Sequence, residues 1–156
     1  MRRPMVGVVG SGKTLSADVE ALAMAVGRAV AREGAVLVCG GLGGVMRAAA
    51  RGAKEAGGVT MGILPGSSAD AANTYIDFPV VTNMGQARNA IIVQTADVVI
   101  AVGGGYGTLS EMALALKIGK SVIALAPRFT IPGIQIISDP AEAVRVALSL
   151  RPKPAS

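Results

Sequence analysis

Residues 97–108 read DVVIAVGGGYGT, and this stretch decides the fold class of the chain. After Asp97 comes an unbroken run of five apolar residues, as expected of a strand buried on both faces of a parallel sheet. The glycines that follow predict a tight turn, and the pattern after Thr108 predicts a helix to about Ile118. A buried strand, a glycine-rich turn and a helix are the building unit of doubly wound α/β sheets.

The same unit recurs along the rest of the chain. Further strands are predicted at 5–9, 35–39, 59–64, 78–81, 121–125 and 134–137, and further helices at 16–32, 45–56, 85–95 and 140–150. The connections are short, and no repeat or linker divides the chain. We therefore expect residues 1–156 to form one Rossmann-like domain, a doubly wound parallel sheet flanked by helices, with 151–156 as a flexible tail.

Composition supports a folded protein of the cell interior. Hydrophobic residues make up 51% of the 156 positions and charged residues 16%, which excludes a disordered chain. Cys39 is the one cysteine, so no disulfide can form within the chain. No apolar stretch is long enough to cross a membrane, and the N-terminus does not resemble a cleavable signal. The expected location is cytoplasmic, with no membrane partner.

The formal net charge of +5 raises the question of a nucleic-acid partner. Much of the excess lies at the two ends of the chain, at Arg2, Arg3, Arg151 and Lys153. No cluster of basic residues is interleaved with aromatic residues, as a surface for single strands requires. We therefore expect attraction for small phosphorylated ligands and no nucleic-acid partner.

Three glycine-rich segments, at 10–12, 40–44 and 103–107, each follow a predicted strand and precede a predicted helix. In a parallel sheet all three lie at the carboxyl edge, where glycine lets the backbone approach a phosphate beside a helix N-terminus. A single loop of this kind is common, but three at one edge predict a phosphate site. The predicted ligand contacts are Gly10, Ser11, Gly12, Gly40, Gly41, Gly43, Gly44, Met46, Asn89, Gly104, Gly105, Tyr106, Gly107 and Thr108.

Residues 7–14, GVVGSGKT, match the P-loop pattern of nucleoside triphosphatases. However, the apolar strand contains Gly7, which leaves a loop of only 10–13, too short to wrap a β-phosphate. The later strands also lack a terminal aspartate that could hold magnesium. We do not expect a P-loop enzyme, and Lys13 either assists anion binding or is solvated.

The residue inventory excludes several other kinds of chemistry. The chain has no histidine, so a histidine-based triad or metal site is impossible, and one cysteine cannot form a zinc cluster. A pyridoxal-phosphate decarboxylase needs a buried lysine, whereas Lys54, Lys117 and Lys120 are predicted on polar helix faces or helix ends. We expect no metal site and no required cofactor.

Two segments carry a resemblance to a known family. Residues 104–111, GGYGTLSE, with Arg88 upstream, and residues 40–46, GGLGGVM, resemble the Lonely Guy, or lysine decarboxylase-like, superfamily of Rossmann proteins. Its hydrolases cleave nucleoside 5′-monophosphates to free base and ribose 5-phosphate. The chain resembles more closely the branch of the molybdenum cofactor carrier proteins, which is related to the Rossmann domain of DNA-processing protein A. The resemblance runs from about Val6 to Leu125.

If this chain works as the hydrolases of the family do, the resemblance implies catalytic roles for its Arg88 and Glu111. The carboxylate would stabilise a cationic sugar or orient water, and the guanidinium would stabilise the leaving base or the phosphate. Each residue also has an alternative interpretation without a function in catalysis. Glu111 would then only interact with the helix dipole in the first turn, and Arg88 would be a solvated residue at a helix start. Gly103 in place of proline, Asn89 in place of lysine and a longer Met84–Arg88 spacing suit the carrier branch better.

Two functions therefore stay open. The first is a protein that binds a nucleotide, such as an AMP-like ligand, or a phosphorylated cofactor of molybdopterin type. The alternative is a phosphoribohydrolase that uses Arg88 and Glu111. The resemblance also implies a homo-oligomer, a dimer or a tetramer. The predicted helix at 85–95 and the helix after Thr108 would form its interface.

Overall fold

The computed structural model describes residues 2–153. Its strands are β1 (Met5–Gly10), β2 (Val36–Cys39), β3 (Val59–Leu64), β4 (Phe78–Val81), β5 (Val98–Val102), β6 (Val122–Leu125) and β7 (Gln135–Ile136). Its α-helices are α1 (Ala17–Arg32), α2 (Val45–Glu55), α3 (Arg88–Thr95), α4 (Tyr106–Lys117) and α5 (Pro140–Ser149). Residues 154–156 of the predicted tail lie outside the described residues, and the flexibility of the tail stays a prediction.

Within residues 2–153 the seven strands form one sheet in the order β4-β3-β2-β1-β5-β6-β7, and every pair is parallel. The predicted fold class, a doubly wound parallel sheet flanked by helices, is confirmed. The chain builds outward from β1 to β4 and then crosses back to place β5 on the other side of β1. This reversal is the topological switch point, and it opens a crevice at the carboxyl ends of β1 and β5.

The sheet separates two hydrophobic cores. Along β5, Val98, Ile100 and Val102 belong to the core that α1, α2 and α5 cover. Val99 and Ala101 belong to the opposite core, which α3 and α4 cover. This alternation follows from the period of two along a strand, and it makes the whole strand apolar because both faces are buried.

Small residues allow α1 and α2 to pack with their backbones close together. A Cβ atom at Gly27 would lie 1.9 Å from the carbonyl oxygen of Ala49, and one at Gly52 would lie 2.0 Å from that of Met24. The start of α1 is the predicted one, since the hydroxyl of Ser16 accepts a hydrogen bond from the N–H of Val19. The first glycine-rich loop leads directly into this helix pair.

Asp97 connects the amino-terminal segment to the switch point. Its carboxylate accepts hydrogen bonds from the Arg2 guanidinium at 2.6 and 2.9 Å and from the N–H of Met5 at 2.8 Å. The Asp97 N–H donates in turn to the Met5 carbonyl at 2.8 Å. The Arg2 hydrogen bond is the main reason why the pKa of Asp97 lies below its usual range. These contacts align β1 with β5.

The structure corrects three boundaries near the edge of the sheet. Gly10 is the last residue of β1, not the first residue of the turn. The predicted helix at 85–95 begins with a 3-10 turn at Gly85–Ala87, so that the α-helix proper starts at Arg88. The predicted loop 65–73 contains a second 3-10 turn at Ala69–Ala71. Glycine and alanine give weak local signals, and tertiary packing decided these ends.

We expect Gly27→Ala to destabilise the protein by about 1–3 kcal/mol, because the new methyl group forces α1 and α2 apart. Urea denaturation measures the loss. Gly107→Ala is the matched control, since Gly107 also lies in a helix but a Cβ atom there meets nothing within 4 Å. Equal stability changes in the two variants would contradict this account of the helix pair.

Candidate functional site

A cleft of about 930 Å³ opens at the switch point, between the carboxyl ends of β1 and β5. It is bordered by the loops that follow β1, β2, β5 and β6, together with the start of α3. The predicted site residues that line it are Gly10, Ser11, Gly12, Gly40, Met46, Arg88, Asn89, Gly104, Gly105, Tyr106, Gly107, Thr108 and Glu111. Residues chosen from three separate glycine-rich segments are thus brought together around one space.

Three of the predicted glycines, Gly41, Gly43 and Gly44, do not line this cleft. Gly44 has φ +60°, and a Cβ atom there would lie 2.0 Å from the carbonyl oxygen of Ser11. The same Ser11 oxygen accepts a hydrogen bond of 2.9 Å from the N–H of Val45. The second glycine-rich loop therefore supports the first one from behind and shapes the wall of the cleft.

The loop between β5 and α4 offers backbone donors to the cleft. Gly104 has φ +108°, and a Cβ atom there would lie 2.4 Å from Cβ of Thr108. Both the backbone conformation and the lack of space therefore exclude a side chain at this position. Gly105 is the N-cap of α4, and no side chain caps the helix. The first-turn N–H groups and the positive end of the helix dipole are therefore available to an anion of phosphate size.

Arg88, the first residue of α3, is buried and held by the protein, so the interpretation as a solvated cation is wrong. Its Nε donates to the carbonyl of Ile63 at 2.9 Å and its Nη2 to that of Gly40 at 3.4 Å. Its Nη1 donates to Oδ1 of Asn89. A guanidinium has five N–H groups, so these three bonds leave two for a ligand. Burial lowers the pKa of Arg88, and the nearby Glu111 carboxylate acts in the opposite sense.

Glu111 lies one turn into α4 and faces the same cleft. Only 8% of the residue is exposed, and no hydrogen bond to its carboxyl group forms among the described residues. No ion pair within 4.0 Å joins it to Arg88 in that part of the chain. Burial raises the pKa of Glu111 to about 7, against the opposing effect of the Arg88 charge. Both protonation states of this carboxyl group are accessible near neutral pH.

Sequence reasoning missed Arg128, which follows β6 and lines the cleft. A signal for it existed, because β6 lies beside β5 and its carboxyl end reaches the same edge of the sheet. Lys13, for which solvation and anion binding were both open, also lines the cleft. Gly7 lies inside β1, as the argument against a P-loop requires.

The structure also places the thiol and describes two absences. Cys39 is fully buried behind the cleft, and burial raises the pKa of its thiol to about 11. Within residues 2–153, no group of three histidine, cysteine, aspartate or glutamate side chains is arranged to hold a metal ion. In the same range, no helix has the length and apolar character needed to cross a membrane.

These features define a Rossmann-like protein with a glycine-lined cleft at its switch point. The chain belongs to the SLOG cluster4 family, whose model matches residues 3–153. This match, together with the related structures below, confirms the predicted resemblance.

The relatives span nearly the whole chain. An uncharacterized protein of Archaeoglobus fulgidus is 46% identical over 149 residues, which cover 96% of this chain and 97% of the relative. The solved structure of the molybdenum cofactor binding protein from Rippkaea orientalis is 40% identical, with a TM-score of 0.90 and coverage of 96% and 98%. The molybdenum cofactor carrier protein of Chlamydomonas reinhardtii is 36% identical, with a TM-score of 0.85 and the same coverage.

DNA processing protein A of Streptococcus pneumoniae has the same fold at 21% identity, with a TM-score of 0.75. This chain covers 63% of that protein. At this level of identity the similarity concerns the fold alone.

We expect Glu111→Gln to stabilise the protein above pH 7. The folded state raises the pKa of this carboxyl group from 4.5 to about 7, so it binds the proton more tightly than the unfolded state does. Stability is therefore lost as the pH rises through this window, by at most roughly 3 kcal/mol. Glutamine cannot ionise, so its advantage in denaturant unfolding should be large at pH 8 and small at pH 4.5.

Glu142→Gln, at an exposed position in the first turn of α5, is the control for this pH dependence. An advantage of Glu111→Gln that is the same at both pH values would show that lost packing or a new hydrogen bond, not proton binding, explains it.

Proposed function

We propose that this protein binds a small phosphorylated cofactor of molybdopterin type, or a nucleotide, in the switch-point cleft and holds it without turnover. The single observation that carries the proposal is the α4 N-terminus, which closes the cleft with no capping side chain and with glycines at Gly104, Gly105 and Gly107. The volume of about 930 Å³ also suits a small-molecule ligand.

The phosphate of the ligand would lie against the loop between β5 and α4. Backbone N–H groups there donate without a side chain in the way, and the helix dipole favours negative charge. Thr108 is 3% exposed and lines the cleft, so its hydroxyl can add one further hydrogen bond. This end of the cleft recognises phosphate and does not discriminate between heterocycles.

The heterocycle would lie toward Arg88 and Glu111. The two remaining N–H groups of the guanidinium can donate to ring oxygen or nitrogen atoms, and the carboxylate can accept from ring N–H and amino groups. A pterin and a purine both present such mixed edges. The donor set therefore fits the pterin of a molybdopterin-type ligand bound as cargo.

Two relatives support a carrier role. The Rippkaea orientalis protein, 40% identical, is a molybdenum cofactor binding protein, and the Chlamydomonas reinhardtii protein, 36% identical, is a molybdenum cofactor carrier protein. Asn89 supports the same proposal, because its side chain holds Arg88 in place and adds no second cation to the site. We propose a small ligand, not nucleic acid, as the partner, and we propose that it is met in the cytoplasm.

A homo-oligomer, dimer or tetramer, is part of this proposal. The outer surfaces of α3 and α4 present small and apolar side chains, with Ala90 and Ala113 exposed and Ile91 and Leu109 half-buried. Such a surface suits contact between helices of two copies.

A phosphoribohydrolase is the second candidate, and Glu111 is the observation that favours it. A cleft-facing carboxyl group with a pKa of about 7 can hold or release a proton at physiological pH, as general acid–base catalysis requires. In its ionised form it can stabilise a cationic sugar. Arg88 would then stabilise the leaving base.

The binding proposal predicts that AMP or a molybdopterin-type ligand raises the melting temperature of the protein, with a dissociation constant measurable by calorimetry. Gly104→Ala should weaken this binding at least about tenfold, because the new side chain displaces Thr108 and distorts the phosphate loop. Gly66→Ala is the control, since a Cβ atom there meets nothing within 4 Å and Gly66 does not line the cleft. Absence of binding by the unaltered protein would refute the proposal.

Turnover is tested with a panel of nucleoside 5′-monophosphates, with free base and ribose 5-phosphate followed by chromatography. We expect no release above background. Release that Glu111→Gln abolishes, while nucleotide binding persists, would establish the phosphoribohydrolase instead. Glu142→Gln is the matched control and should leave any genuine release unchanged, whereas a contaminating activity would survive both substitutions.

A further inference from the structure

Two cations that line the cleft, Lys13 and Arg128, have no role in the proposed phosphate and heterocycle contacts. Lys13 lies on the loop between β1 and α1, and Arg128 lies on the loop after β6, so they approach the cleft from different strands. Among the described residues, neither side chain forms an ion pair or donates a hydrogen bond. Both charged groups are therefore available to a ligand.

The charges around the cleft are unbalanced. Its other ionisable groups with a clear charge are Arg88 and Glu111, and the Glu111 carboxyl is only partly ionised at neutral pH. Arg88 is engaged with two carbonyls and Asn89. A single phosphate at the N-terminus of α4 would use the backbone donors there, and it would leave the charges of Lys13 and Arg128 without a counterpart.

Arg128 is exposed, but aromatic contacts define its position. The ring of the adjacent Phe129 stacks on that of Tyr106, with centroids 5.2 Å apart and the planes at 28°. The Arg128 guanidinium carbon lies 5.2 Å from the centroid of the Phe129 ring. Tyr106 is the first residue of α4, so the stack fastens the loop after β6 to the phosphate end of the cleft.

We propose that Lys13 and Arg128 form a second anion subsite, so that the ligand of this cleft carries two separate anionic groups. One phosphate lies at the N-terminus of α4, and a second phosphate or other oxyanion binds to Lys13 and Arg128 in the same cleft. The inference rests on the proposed function and narrows its ligand class to compounds such as diphosphates or phosphates that carry another oxyanion. A guanidinium and an ammonium can both bind such a group through charge-assisted hydrogen bonds.

The test uses inorganic phosphate and pyrophosphate as probes, with calorimetry at one fixed ionic strength, because neither probe depends on the heterocycle. The unaltered protein should bind pyrophosphate at least about tenfold more tightly than phosphate. Arg128→Ala and Lys13→Ala should each reduce this ratio to about threefold or less, while the affinity for phosphate stays within about twofold. Lys117→Ala removes an exposed cation of α4 outside the cleft and should retain the full ratio.

Every other result contradicts either the second anion subsite alone or both phosphate sites. If the double variant Lys13→Ala/Arg128→Ala still binds pyrophosphate about tenfold more tightly than phosphate, the second subsite is refuted. A parallel loss of phosphate and pyrophosphate affinity refutes it too, since the cations would then belong to the first phosphate. If neither anion binds the unaltered protein, the second subsite is refuted together with the phosphate site of the proposed function. If a molybdopterin-type ligand or a nucleotide binds, but the unaltered protein binds pyrophosphate and phosphate equally well, only the second subsite is refuted.

Discussion

The guanidinium of Arg88 is the contact on which the geometry of the cleft depends. It joins the end of β2, through the carbonyl of Gly40, to β3, through the carbonyl of Ile63, and to the first turn of α3, through Asn89. A buried cation is stable only if its donors are satisfied, and here the protein satisfies three of the five. These acceptors offset part of the cost of burying the charge, and burial still lowers the pKa of Arg88. The other two N–H groups form no hydrogen bond among the described residues.

Glu111, unlike Arg88, receives no hydrogen bond from the described residues. This difference favours the binding protein over the hydrolase. The Glu111 carboxyl group is buried at the same cleft but receives no hydrogen bond among the described residues, so its proton is retained up to about pH 7. A ligand can meet it as a donor or as an acceptor, and a binding protein tolerates both forms. A hydrolase that stabilises a cationic sugar needs the carboxylate, and Arg88, already held by Ile63 and Gly40, is too far for an ion pair that would secure it.

Much of this could be predicted from the sequence, because the strong signals are local and repeated. Short apolar runs placed β3 and β4 at their observed limits, and Ser16 marked the start of α1. The meeting of the three glycine-rich loops at one edge followed from the carboxyl-edge rule, whereas the strand order that puts the switch point between β1 and β5 is known from the structure. The burial of Arg88 could not be predicted, since it depends on contacts with Gly40 and Ile63, which are far away in the chain. Arg128 could have been placed at the carboxyl edge, because it follows the predicted strand at 121–125.

The glycines show most clearly that a sequence motif can match while the residues in it have a different structural role. In the stretch 7–14, the spacing matches a P-loop, yet a Cβ atom at Gly7 would lie 2.9 Å from Cβ of Ala96 and one at Gly10 would lie 2.6 Å from Cγ2 of Val45. These two glycines are required because β1 packs tightly against its neighbours, not because a β-phosphate is wrapped there. At Gly105 a Cβ atom would meet nothing within 4 Å, so that glycine keeps space free at the N-terminus of α4. Glycine-rich loops at one sheet edge therefore combine two kinds of position: glycines that tight packing requires, and glycines that leave open space at a helix N-terminus.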